Sequence, residues 1–443
     1  MKKYDNYKDS GIEWIGEIPS NWEVKKLKFV SKIFNGDSLN EEEKERYSQE
    51  IENSIPYVST KDIDIWTARI NYENGLKIPV DHSRFKIAPK NSFLMCVEGG
   101  SAGRKFGHLQ MDVFFVNKLA CFETQSVNNK FLYYYAQSPL FQLQFQNSLS
   151  GLIGGVAISQ IRNFSVILPI PDEQTAIANY LDKKTTQIDD LIAKKERLIQ
   201  LLEEERTAVI NQAVTKGLDP NVPMKDSGME WLGEIPAHWE VKRLRNIVDS
   251  VKTGSTPPTD EIQFFSPQEI NWYGPGDFEN LFLGEAKRKI SRLAIDQNKC
   301  RLFPSNSLLL IGIGATVGKV GLTTEPCSSN QQINAITLKK VYNPEYYLYY
   351  LSTIKEIIAA EASSSTLPIF NQTQTKNIIV SVPPIDEQNH IVRFIKNQTE
   401  RIQAINSKTQ QEIELLKEYK TTLISEVVTG KVDVRDWQPM NKN

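Results

Sequence analysis

The sequence predicts an α+β protein built twice: two mixed α/β heads separated by two long helices, paired antiparallel as a coiled coil about a pseudo-two-fold. Three observations predict it. The stretch DSGIEWIGEIPSNWEVKKLK at Asp9 returns at Asp226 as DSGMEWLGEIPAHWEVKRLR, fourteen of twenty residues identical at an offset of 217. A second repeat, Leu168–Asp219, returns as Val382–Asp433 at an offset of 214. Each copy of it then runs from an aspartate to a terminal glycine with no internal Gly or Pro, as a long helix does. The order along the chain is therefore head (1–167), long helix (168–219), head (220–381), long helix and tail (382–443).

The 443 residues exceed one ordinary core, and an apolar fraction of 40% with 24% charged residues is that of a globular chain. The N-terminus has no apolar run of a secretory signal, and the longest uncharged window, 302–318, is broken by Pro304, Gly312 and Gly314. These place the chain in the cytoplasm, with no membrane role. Net charge is −2. Residues 1–165 carry 20 basic and 19 acidic side chains, and residues 220–381 carry 16 of each. Any grip on a polyanion must then come from clustered side chains.

Each head opens with the repeated motif. Trp14, Ile18, Pro19, Trp22, Val24 and Leu27 can fold as a turn whose aromatics pack under the head; stacking on a base would require Trp14 or Trp22 to be exposed. Basic clusters follow in both copies, Lys25-Lys26-Lys28 and Lys242-Arg243-Arg245. Further on the heads diverge, apart from one internal match. NSFLMCVEGGSAGRKFG (91–107) aligns with NSLLLIGIGATVGKVG (306–321), a strand followed by a glycine-rich turn and a basic residue, with Gly99 opposite Gly314, Gly103 opposite Gly318 and Arg104 opposite Lys319. The spacing fits neither a Walker loop nor a dinucleotide fingerprint. It fits a tight turn needing positive φ, or a turn that brings backbone, with Arg104 and Lys105 or Lys319, against a DNA phosphate. Lys287, Arg288, Lys289 and Arg292 form a basic cluster with no duplicate, where a sequence-reading contact is expected.

The long helices start at Pro171-Asp172 and Pro384-Ile385-Asp386, with the acidic residue at the positive end of the dipole. Leu181, Ile188, Lys195, Leu202 and Val209 keep a seven-residue beat, as do Ile395, Ile402, Thr409, Leu416 and Leu423. A parallel line runs through Ile177, Leu191 and Leu198, matched by Ile391, Ile405 and Glu412. Such stripes describe a seam about 60 Å long.

No catalytic constellation assembles. The four histidines are scattered, the methylase signature is absent, and the four cysteines are too dispersed for a metal site or a disulfide framework.

The two heads entered by EIPxxWE and left through P-x-x-D-E-Q resemble the specificity subunit of Type I restriction-modification systems. The markers are Trp14, Pro19 and Trp22 with Trp231, Pro236 and Trp239, and the helix starts Asp172-Glu173-Gln174 and Asp386-Glu387-Gln388. The resemblance covers essentially the whole chain. It implies two target-recognition domains that read a bipartite site on double-stranded DNA, with the helix starts and long helices contacting two methyltransferase subunits. It also implies that this chain is not catalytic and binds no cofactor. S-adenosylmethionine, ATP and magnesium then belong to the methyltransferase and to the restriction and translocase subunits. The rival readings are a coiled-coil scaffold with two protein-binding heads and no DNA recognition, and a nucleotide-gripping enzyme.

Overall fold

A computed structural model describes residues 2–49, 51–124, 126–151, 154–362 and 367–437; residues 438–443 of the predicted tail lie outside these. It is a mixed α/β fold. Its contacts divide the chain into two units, both drawing on both long helices: Met1–Glu196 with Gln410–Asn443, and Arg197–Thr409. The long helices span Pro171–Lys216 and Ile385–Val428.

In the first unit, Tyr7–Asp9 pairs antiparallel with Glu17–Pro19, and Glu23–Lys26 with Ser165–Leu168, so the repeated motif clamps both ends of the head. Between them lie two four-stranded sheets. One is antiparallel, in the order Ser31–Asn35, Leu119–Thr124, Phe93–Cys96, Phe106–His108. The other, ordered Lys77–Pro79, Ser54–Val58, Val113–Phe115, Ile87–Ala88, contains one parallel pair. The core joins Trp22, Phe93, Phe122 and Phe131 to Ile177, Leu181 and Ile188 of the first long helix, and to Leu423, Ile424 and Val427 of the second.

The second unit repeats the clamp, with Met224–Asp226 on Glu234–Pro236 and Glu240–Arg243 on Ile379–Val382. Its larger sheet has five strands, ordered Val248–Thr253, Ile333–Leu338, Leu308–Ile311, Val320–Thr323, Phe282–Leu283. A three-stranded sheet is built on Ile270–Tyr273. Trp239, Tyr346, Tyr347 and Tyr350 share a core with Ile210, Ala213 and Val214 of the first long helix and Ile391, Val392 and Ile395 of the second.

Within each unit the two long helices run antiparallel. In the first, Asp189 pairs with Lys420 at 2.7 Å and Lys195 with Glu412. In the second, Asn406 donates to Glu203 at 2.7 Å. Leu181, Ile188, Leu202, Ile395, Ile402, Thr409 and Leu423 of the seven-residue series are buried. The parallel line needs correction. Leu191 and Leu198 are exposed (42% and 41%), while Ile192, Ile199 and Ile413, one residue further on, turn inward. A helix of 3.6 residues per turn drifts off a strict seven-residue repeat, and here the inner face follows the helix. The heads, too, take part of the stripe that the sequence assigned to helix–helix contact alone.

The duplicated motif has a packing reason. Gly430 and Gly217, at φ +74° and +75°, end the two long helices. A Cβ on Gly430 would lie 2.5 Å from the Pro19 ring, and one on Gly217 would lie 3.3 Å from the Trp239 ring. Each Pro-x-x-Trp is the seat for a helix end, and only glycine lets the backbone come down onto it. Beyond Gly430 the Asp433 N–H donates to the Lys2 carbonyl. No described helix is long and apolar enough to cross a membrane.

Candidate nucleic-acid interface

Glutamine and glutamate at the helix starts fix each head. Gln174 accepts from the Asn128 N–H at 2.8 Å and donates to the Pro169 carbonyl; Gln388 accepts from the Asn343 N–H at 2.9 Å and donates to the Pro383 carbonyl. Asn128 and Asn343 cap the helices Asn129–Ala136 and Pro344–Thr353. Glu173, nearly sealed from solvent, accepts from Trp22 Nε1 at 2.6 Å, Asn21 Nδ2 at 2.7 Å and the Tyr4 hydroxyl at 3.4 Å. Glu387 is half-buried, with His238 Nε2 at 2.8 Å. Asp172 and Asp386 are the members of these motifs that face solvent.

The glycine-rich turns have the expected positive φ, at Gly99 and Gly103 and at Gly314 and Gly318. The strands show that Lys105 is the structural counterpart of Lys319. The Lys105 carbonyl accepts from the Cys96 N–H, and the Lys319 carbonyl from the Ile311 N–H. Both lysines then reach a loop carbonyl, Thr60 at 2.7 Å and Phe278 at 3.4 Å. Arg104 is therefore an extra residue of the first head rather than the partner of Lys319. It is exposed and makes no ion pair among the described residues.

In the second head, Lys287 pairs with Glu279 at 2.8 Å, Lys289 with Glu285, and Arg292 with Asp296 at 3.7 Å. Arg288 sits 5.0 Å from the Trp272 ring and 5.3 Å from the Phe265 ring, an exposed guanidinium held by two aromatic rings. The entrance lysines and arginines are engaged locally, Lys25 with Glu23 and Arg243 and Arg245 with Asn377. The guanidinium groups of Arg104 and Arg288, one in each head, are exposed and make no ion pair among the described residues.

Sequence reasoning missed Trp66. It is 63% exposed on the loop after Thr60–Asp62, with the Lys417 ammonium 4.8 Å from its ring, and it lines a cavity of about 530 Å³ together with Arg104, Asp64 and Lys420. A lone tryptophan outside any repeat carries no signal of its own. Trp14 is exposed and Trp22 is not, so of the pair only Trp14 is open to stacking. The four cysteines are buried and unpaired, with burial pushing the Cys121 and Cys327 thiols up to about 12. No group of His, Cys, Asp and Glu among the described residues could hold a metal ion.

His108 is the second residue without a sequence signal. Both ring nitrogens are buried without a partner among the described residues, and burial, with the Lys130 ammonium adding to it, lowers the imidazole to about 4 from 6.5. A folded pKa below the unfolded one means the unfolded chain binds the proton first. The stabilisation is complete above pH 6.5 and is lost as pH falls from 6.5 towards 4. That window is worth up to about 3 kcal/mol. The first unit should therefore melt earlier at pH 4.5 than at pH 7, and His108→Phe should flatten that dependence in calorimetric scans.

A family model described as "Type I restriction modification DNA specificity domain" matches residues 19–202 and 236–415. The chain is 24% identical over 447 residues to the Type I restriction enzyme MjaIX specificity subunit of Methanocaldococcus jannaschii, covering 95% of this chain and 96% of that one. It is 21% identical over 451 residues to the EcoKI specificity subunit of Escherichia coli strain K12, covering 96% and 92%. Among solved structures, the fold is similar to a chain from a type I R-M system studied for complex assembly and conformational transition. That match has a TM-score of 0.71 at 15% identity, covering 94% of this chain and 99% of that one. It is also similar to the HsdS subunit from Thermoanaerobacter tengcongensis, with a TM-score of 0.57 at 15% identity and coverages of 94% and 98%.

Proposed function

The chain belongs to the Type I restriction-modification DNA specificity family, and on that premise we propose that its two heads read unlike halves of one bipartite DNA site. It is the DNA-recognising specificity subunit of such a system. One observation carries the finer reading. The main anchors of the frame that holds each head are duplicated, while the basic surfaces are not: Arg104 is an insertion of the first head, and Lys287–Arg292 belongs to the second. Equal frames with unequal reading surfaces suit an asymmetric target.

In this reading chemistry is left to the partners. Two methyltransferase subunits supply S-adenosylmethionine chemistry, and restriction and translocase subunits supply ATP- and magnesium-dependent steps, all in the cytoplasm where the DNA is. The exposed Leu191, Leu198 and Leu415 of the long helices offer apolar contact to the methyltransferase. The heads are close to neutral, so DNA binding by this chain alone is weak and salt-sensitive, and tightens in the assembled complex.

Arg104→Ala and Arg288→Ala, each tested in the complex with methyltransferase, should weaken DNA binding about five- to tenfold at 0.1 M salt. Each should also lower the slope of log affinity against log salt by about one. Fluorescence anisotropy with a duplex bearing the methylated site measures both. No shift of any duplex, even with partners present, would favour the protein-binding scaffold instead.

A further inference from the structure

The two heads dock on their helices through equivalent contacts, and at one of these the charges are reversed. Gln174 receives the Asn128 N–H, and Gln388 receives the Asn343 N–H. Two residues beyond each asparagine stand Lys130 and Glu345; eight residues beyond each glutamine stand Asp182 and Lys396. In the first unit Lys130 pairs with Asp182. In the second Glu345 pairs with Lys396 at 2.6 Å. The same contact is made twice, with the cation on the head in one unit and on the helix in the other.

The surroundings are matched to these signs. Asp182 also accepts from the Tyr134 hydroxyl at 2.8 Å, and that hydroxyl lies 3.2 Å from Thr185. Tyr134 is buried (5%), so the carboxylate is held by a hydroxyl that the core fixes in place. In the second unit the equivalent Tyr349 (4%) packs edge-on to Phe282, and the Lys396 ammonium lies 5.7 Å from the Phe282 ring. An ammonium is stabilised there by the ring face, where a carboxylate would be repelled. The four charged side chains are between 27% and 43% exposed, enough shielding from water for sign to matter.

We infer that these two pairs act as a key of opposite sign, so that each helix start accepts its own head and refuses the other. Placing the second head on the first helix would set Glu345 against Asp182, and the first head on the second helix would set Lys130 against Lys396. The asparagine caps and the glutamine anchors of the docking surface are common to both heads and would tolerate exchange. The order of the two heads along the chain is therefore enforced at this point of the frame. The inference concerns docking of a head on its helix and stands independently of what the heads bind.

The test is a charge-reversal cycle in the full-length chain, read by thermal unfolding. Asp182→Lys should lower the midpoint of the first unit by roughly 2–4 °C. Adding Lys130→Glu should recover at least half of that, while Lys130→Glu alone behaves like Asp182→Lys alone. A second construction exchanges the two heads on unchanged helices. It should melt earlier than the native order and regain stability when Asp182→Lys and Lys396→Asp are added together. Additive single effects with no recovery in the double variant overturn the inference, as does an exchanged chain as stable as the native one. If the exchanged chain does not fold at all, the cycle in native order decides.

Discussion

Trp22→Ala is expected to destabilise the first unit by about 3–5 kcal/mol, the cost of emptying a fully buried indole from a closed core. Calorimetry of the full chain should show the transition that contains the first head moving down, with that of the second head held in place. The paired phenylalanine variants separate packing from hydrogen bonding. Trp22 Nε1 donates to Glu173 at 2.6 Å, whereas Trp239 Nε1 is buried without a partner among the described residues. Trp22→Phe leaves a buried carboxylate short of a donor and should cost about 1–3 kcal/mol more than Trp239→Phe, which removes only a donor that is already unsatisfied. Equal losses in the two variants would show that the Trp22–Glu173 bond contributes nothing net.

The second large effect concerns the helices as spacers. Removing residues 195–201 and 408–414 together takes one heptad from each long helix and preserves the register defined by Asp189–Lys420 in one unit and Glu203–Asn406 in the other. Seven residues at 1.5 Å each shorten a helix by about 10 Å, which is about three base pairs of duplex. Methylome sequencing of cells carrying the shortened chain and its methyltransferase should return both half-sites unchanged with about three fewer base pairs between them. An unchanged spacer would rule out the helices as the ruler.

What the sequence disclosed follows from repetition. The Pro-x-x-Trp motif, the helix starts and the terminal glycines recur at fixed offsets because each is locked into the same buried contact twice, and one sequence then supplies its own comparison. The long helices were legible for the same reason and for their freedom from Gly and Pro. Their inward face was legible only in part: a seven-residue template places Leu191 and Leu198 on the seam, and the helical twist delivers Ile192 and Ile199 instead. The candidate interface was least legible. Alignment by glycines paired Arg104 with Lys319, while strand pairing assigns Lys105 to that place, because a one-residue insertion is invisible where flanking identity is low. Trp66, Arg288 over its two rings, and His108 depend on residues far apart in sequence, brought together only by the fold.

The glycine seats and glutamine anchors have one more effect. The glutamine anchors and the glycine seats are enclosed, whereas Arg104, Trp66 and Arg288 are exposed on loops. Random substitution in those loops should cost little folding free energy, typically within about half a kcal/mol. Such a scaffold can shed one target and acquire another through surface changes alone, so a loop library screened by methylation pattern should yield many well-folded variants with altered preference.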